Sequence, residues 1–275
     1  PRSEFQRHGI EVKVDLPGVG MNLQDRYEVS LVYRMRDEWS FMQGAEFRRG
    51  DPLFAQWEKT RSGIYATNGG MFVVLTKSLR ERIVPDLFCM SLLARFEGYF
   101  PGYSRLISGH RNYLSWVVLK AHTENTAGTV TLQSADPRDP PRIDFRYFDE
   151  GSDTAGADLD AVVEGVKLHR RVTAELIKEG LIAEEEIPGD RRQTDEELRD
   201  FVRGNAWGHH ASCSCPIGPR ENGGVLSGDF RVHGTRGLRV VDASVFPRIP
   251  GFFIVSAVYM IGEKAADVLL ADAKR

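Results

Sequence analysis

The hydrophobic and polar positions divide the chain into a strand-rich first half and a helix-rich second half. "EVSLVYRM" (Glu28 to Met35) alternates with the strand period. "MFVVLTKS" (Met71 to Ser78) and "DLFCMSLLA" (Asp86 to Ala94) predict two more strands. "LSWVVLKAHT" and "GTVTLQS", between Leu114 and Ser134, read as two antiparallel strands around a short connection. "GIEVKVDLPGVG" (Gly9 to Gly20) reads as a short strand running into a Pro/Gly turn. Residues 36–62 are charged and mixed, a pattern of helix and loop. The tract from Phe96 to Arg111, rich in Gly and aromatics, reads as loop.

The period changes after the turn-rich stretch Ser134 to Phe148, whose prolines exclude a continuous helix. Leu159, Val162, Val163, Val166, Val172, Leu176 and Ile177 fall largely on one helical stripe, with Asp158 or Asp160 as candidate cap. Thr194 with Glu197 three residues on fits a capping box at the start of a second helix. "LRVVDASVF" (Leu238 to Phe246) predicts a strand ending in a turn. Ser256 to Ala273 predicts a helix with Tyr259, Ala266 and Leu270 on one face. Strands followed by helices favour an α+β fold, an antiparallel sheet with helices on one face, over a doubly wound sheet.

Composition adds limits. The 275 residues are 41% hydrophobic and 27% charged, the make-up of an ordinary globular protein with room for one large or two smaller domains. A net charge of -3 gives no basic footprint for nucleic acid or anionic membrane. The longest apolar run, Phe252 to Ile261, is too short to span a bilayer. Three cysteines, two of them two residues apart, do not read as a disulfide framework. A reducing, cytoplasmic location is the expectation. The chain opens "PRSEFQRHGIEVKV", without Met and in mid-element, with no signal peptide visible, so residues are expected upstream. No internal repeat, G-x-G-x-x-G or G-x-x-x-x-G-K-[ST] occurs.

The densest chemistry lies in "GHHASCSCPIG", Gly208 to Gly218. His209, His210, Cys213 and Cys215 are all competent metal ligands. Structural zinc normally uses C-x(2-4)-C pairs, however, and no second ligand pair follows, so no metal is expected. A redox pair needs C-x-x-C at a helix N-terminus. A buried turn with small apolar cysteines explains the thiols but leaves two histidines beside Trp207 and Gly208 unexplained.

"HHASCSCPIG" resembles the active-site segment of the glucose-methanol-choline (GMC) flavoprotein oxidoreductases, roughly H-P-x-G-T-C-x-M-G. His210 takes the histidine place, Cys213 the glycine and Cys215 the cysteine. "GIEVKVDLPGVGMNLQDRYEV", "GIYATNGG", "GTVTLQSADPRDPPRIDFRYF" and "RVHGTRGLRVVDASVFPRIP" with "MIGEKAADVLL" are similar to further family segments, in family order. The resemblance implies the C-terminal half of an FAD-dependent enzyme. The half carrying the flavin-binding glycine fingerprint would precede this chain. Residues 1–26 would then be a return segment of the flavin domain and 27–204 the substrate-binding domain. Residues 205–275 would carry the active-site histidine and complete the α/β flavin domain.

The resemblance also implies oxidation of a small-molecule alcohol at a CH–OH group, with the electron acceptor unassigned. His210 would be the base and His209 would lie beside the flavin. Asp242 and Ala243 would form the turn against its phosphate and ribityl region. Phe253 and Ile254 would stand before a helix whose N-terminus points at it. Two departures stand out. Phe253 occupies the place of a second His or Asn, which leaves His209 or another polar residue to supply that contact and suits a bulky or apolar alcohol. Arg26 stands where the family often has His. The competing expectation is a non-catalytic GMC-like binding domain lacking cofactor.

Overall fold

The computed structural model describes residues 1–274. In chain order the elements are α1 (Arg2–Arg7), β1 (Tyr27–Met35), α2 (Pro52–Thr60), β2 (Gly70–Thr76), β3 (Leu87–Leu92), α3 (Tyr103–Gly109) and β4 (Tyr113–Lys120). There follow β5 (Thr129–Thr131), β6 (Arg142–Asp144), α4 (Ala157–Lys178), β7 (Ile182–Ile187), α5 (Asp195–Asn205) and α6 (Val255–Ala273). The chain divides into two compact units. One comprises residues 1–26, 121–158 and 208–275, the other residues 27–120 and 159–207.

The second unit is built on a five-stranded antiparallel sheet of order β2-β3-β4-β1-β7, and the fold is α+β. Period-two alternation sends Val29, Leu31 and Tyr33 of β1 to one face, where Val118, Trp116 and Leu114 of β4 stand opposite them. Helix α4 covers this face closely. A Cβ on Gly165 would lie 2.4 Å from Val118 Cγ1, so only glycine permits the approach. Leu159, Val162, Val163 and Val166 are buried as the helical period predicts, but the stripe continues through His169 and Thr173, while Val172 and Ile177 are half exposed. Thr173 Oγ1 donates to Tyr33 Oη at 3.1 Å. Helix α4 starts at Ala157, so Asp158 and Asp160 lie within its first turn and not before it. Asp158 Oδ2 accepts from the backbone N–H groups of Glu124 and Asn125, and Asp160 pairs with Arg199. The capping box at Thr194 forms: Thr194 Oγ1 accepts from Glu197 N and Glu197 Oε2 accepts from Thr194 N.

The fifth strand, β7, is not legible in the sequence. "IAEEEI" has three consecutive glutamates and no apolar alternation, yet each glutamate has an arginine to meet. Arg34 reaches Glu184 and Glu186, and Arg170 reaches Glu185 at 2.6 Å. The Phe96–Arg111 tract likewise holds a helix, α3.

His169 is buried against Trp116, with ring centroids 4.2 Å apart, and burial pushes its pKa down to about 4. Between pH 6.5 and 4 the unfolded chain therefore binds a proton that the folded chain does not, and stability falls as pH falls through that window. Denaturant titrations at pH 7 and pH 4 are expected to show a His169-dependent loss of about 3 kcal/mol. In His169→Phe this component should vanish; an unchanged pH dependence would refute the assignment.

In the first unit, Leu16, Val225, Leu226, Phe230, Val232, Val245 and Ala265 form one core that ties three distant stretches of chain to α6. Asp272 near the end of α6 pairs with Arg231 and Arg239. Two predicted strands do not form among the described residues. Gly9 to Val14 and Leu238 to Phe246 have the alternation but no ladder partner. The latter makes a single bridge, Arg231 to Arg239, and then a short helical turn, Ala243–Val245. The pair predicted across Leu114 to Ser134 also separates: β4 lies in the five-stranded sheet and β5 pairs with β6. On α6 the predicted face is the exposed one. Tyr259 and Leu270 stand in solvent, whereas Ala265 and Ile261 pack on the core.

Candidate active site

The site lies in the first unit, where the segments around residues 25, 147, 210 and 253 converge. His210 is buried and His209 exposed, with ring centroids 4.1 Å apart. The backbone around them is fixed by one carboxylate. Asp25 Oδ1 accepts the backbone N–H groups of His210, at 2.7 Å, and of Arg26, at 2.8 Å, while Oδ2 accepts the Tyr147 hydroxyl at 3.1 Å. Gly208 lies against the same group: a Cβ there would sit 2.3 Å from Asp25 Oδ2 and 2.5 Å from the Arg26 carbonyl oxygen. Glycine is required by space, so that the chain can bring the next two residues over the carboxylate.

The surroundings of the His210 ring favour its neutral form over the protonated one. Burial lowers its pKa below the usual histidine value, the Asp25 carboxylate pulls upward, and the Arg26 charge lowers it further. Burial raises the Asp25 carboxyl, against the opposite pull of its N–H and hydroxyl donors. The Phe253 ring stands 5.1 Å from that of His210, at 65°.

After His210 the chain turns sharply. Cys213 is fully buried with φ +74°, a conformation that favours glycine, at the place where the resemblance sets one. Burial pushes the Cys213 thiol up to about 11 and raises that of Cys215, so both are held away from the thiolate form that metal binding needs. Cys213 N donates to Ala243 O at 3.1 Å, and Cys213, Ile249 and Ile254 form a small apolar cluster that Ala243 joins. The turn at 242–245 and the start of α6 are thus brought to the histidine segment. Asp242 is exposed, and its carboxylate accepts from Ser244 N at 2.7 Å. Helix α6 begins after Ile254 with no side chain capping its N-terminus, and Val255 is exposed.

Three contributors escaped prediction. Asp25, Tyr147 and Gly208 shape the site without being candidates for its chemistry; the signal for Asp25 was its place in the "NLQD" segment that carries the resemblance. A cleft of about 590 Å³ in the same unit, lined by Pro17, Gly18, Asn22, Ile217 and Gly224 among others, includes none of the predicted site residues.

The GMC oxidoreductase model matches residues 124–262, which hold the His210 segment, the 242–245 turn and the start of α6. The chain belongs to the GMC oxidoreductase family. It is 31% identical over 300 residues to the chloroplastic fatty acid photodecarboxylase of Chlamydomonas reinhardtii, covering 99% of this chain and 46% of that protein. It is also 31% identical over 276 residues to an oxygen-dependent choline dehydrogenase of Staphylococcus aureus, covering 97% and 46%. A solved structure of an Aspergillus oryzae formate oxidase variant, studied for FAD modification, superposes with a TM-score of 0.80 at 25% identity, over 100% of this chain and 51% of that one. The chain thus spans about half the length of these GMC relatives. The family uses FAD. Among the described residues no helix is long and apolar enough to cross a membrane.

Proposed function

We propose that this chain is the base-bearing portion of an FAD-dependent oxidoreductase that oxidises an alcohol at its CH–OH group. The observation that carries this reading is His210: a buried imidazole, held unprotonated by its surroundings and locked through its backbone to Asp25, within the segment the GMC model matches. A ring nitrogen of His210 takes the hydroxyl proton as the carbon–hydrogen bond breaks. Bound FAD would supply the hydride acceptor. The residues present fit its ring end: an uncapped α6 N-terminus offers free N–H groups and a partial positive charge. The turn at Asp242 and Ala243, together with Ile254, would border the same group, with His209 exposed on the near side. Nothing in the sequence resembles a dinucleotide glycine loop, so the adenosine end would be held by a separate flavin-binding half. That half would also cover the exposed Tyr259, Met260 and Leu270 of α6.

Equal identity to a choline dehydrogenase and a photodecarboxylase leaves substrate choice to the site residues. Phe252 and Phe253 favour an alcohol with a bulky or apolar group beside the carbinol carbon. The reading frame preceding Pro1 tests the proposal at its base. A Gly-x-Gly-x-x-Gly fingerprint in frame is expected; a stop codon directly upstream, with the true start near Pro1, would overturn it.

A further inference from the structure

Arg26 is a charged side chain with no exposure to solvent, standing beside the catalytic candidates. Its guanidinium grips four successive carbonyl groups of one loop. Nε donates to Phe252 O at 3.1 Å, and Nη2 donates to Pro250 O at 2.6 Å, to Ile249 O at 3.5 Å and to Gly251 O. Gly251, at φ +57°, takes the left-handed turn that brings its neighbours' carbonyls inward. Gln24 Oε1 accepts Ile249 N at 3.1 Å and pins the start of the same loop. The loop ends at Phe253, whose ring packs against that of His210 in a T-shaped arrangement. Arg26 shares its backbone with Asp25, which holds the His210 segment from the other side.

We propose that Arg26 is a positioning residue that seats Phe253 against His210, so that the two departures from the family pattern, Arg26 and Phe253, are one device. The physical reason is reach and donor number. An imidazole offers two ring nitrogens and cannot engage four carbonyl groups, whereas the planar guanidinium fork can. Burying that charge is costly unless its donors are met, and the carbonyl array meets those of Nε and Nη2 with charge-assisted bonds. With Phe253 held in place, an apolar ring replaces the second polar side chain of the family pattern and packs against the proposed base. The consequence for chemistry rests on the reading of His210 as base; the positioning itself does not.

NMR of the intact chain tests this. The ring-current contribution of Phe253 to the His210 ring protons is the difference between the unaltered chain and Phe253→Leu. In an Arg26→Lys background, which keeps the charge but loses the fork, that difference is expected to shrink by at least half. A difference of undiminished size would overturn the proposal. Should Arg26→Lys not fold, the unaltered chain decides: a slowly exchanging Arg26 Nε–H with cross-peaks to Phe252 and Phe253 is expected, and exchange at the rate of a free guanidinium would overturn it. Neither readout depends on turnover. An inactive His210 variant therefore leaves the positioning proposal standing, and a failed ring-current test leaves the base reading standing.

Discussion

His210→Ala, in protein carrying the flavin-binding half, is expected to keep FAD bound and to slow its reduction by alcohol by about a thousandfold, within the range for a lost general base. Truncation to alanine removes the proton acceptor but leaves the backbone N–H that Asp25 accepts, so the local fold should survive. The pH dependence has a definite sign. The base acts unprotonated, so reduction slows as pH falls through the His210 pKa. Burial sets that pKa below the usual histidine value, and the rate should be flat through neutrality, with its fall displaced to acid. His209→Ala should do far less, because the residue is exposed. Anaerobic stopped-flow measurement of flavin reduction checks all three statements; equal rates in His210→Ala and the unaltered protein would remove His210 as base.

Gly208→Val carries the largest expected loss of stability. Its Cβ would fall 2.3 Å from Asp25 Oδ2, a carboxylate held by three hydrogen bonds, and 2.5 Å from the Arg26 carbonyl, which is backbone. Relief requires moving the segment that delivers His210 N to Asp25, which leaves a buried carboxylate short of a donor. Overpacking and the lost bond together are worth about 3 kcal/mol or more. Gly204, in α5 with nothing near its Cβ, is the control: Gly204→Ala should be neutral or stabilise by up to about 1 kcal/mol. Denaturant unfolding of the two variants should separate them clearly, and a Gly208→Val variant as stable as Gly204→Ala would contradict the site geometry.

Much of the second unit was legible because its elements carry their own signal. β1 alternates, α4 repeats its apolar positions every three to four residues, and Thr194 with Glu197 marks a helix start. What failed depends on partners. Gly9 to Val14 and Leu238 to Phe246 alternate like strands, but a strand forms only where a ladder receives it, and none does within the described residues. β7 failed in the opposite sense: its glutamates obscure a strand that Arg34 and Arg170 make possible from other elements. The site shows the same division. His210 could be found from residue type and resemblance. The roles of Asp25, Tyr147 and Gly208 depend on where four separate stretches of chain meet, which no local pattern encodes. Arg26 was visible only as an odd residue, and its buried grip on the 249–252 carbonyls gives the oddity a reason.

The proposed function is tested most directly by expressing the protein together with the in-frame segment preceding Pro1 and mixing it anaerobically with a primary alcohol bearing an apolar group. Purified protein should show an oxidised-flavin spectrum that bleaches on mixing, and His210→Ala should retain the spectrum and bleach far more slowly. Protein that holds FAD yet stays oxidised against a panel of polar and apolar alcohols would contradict it.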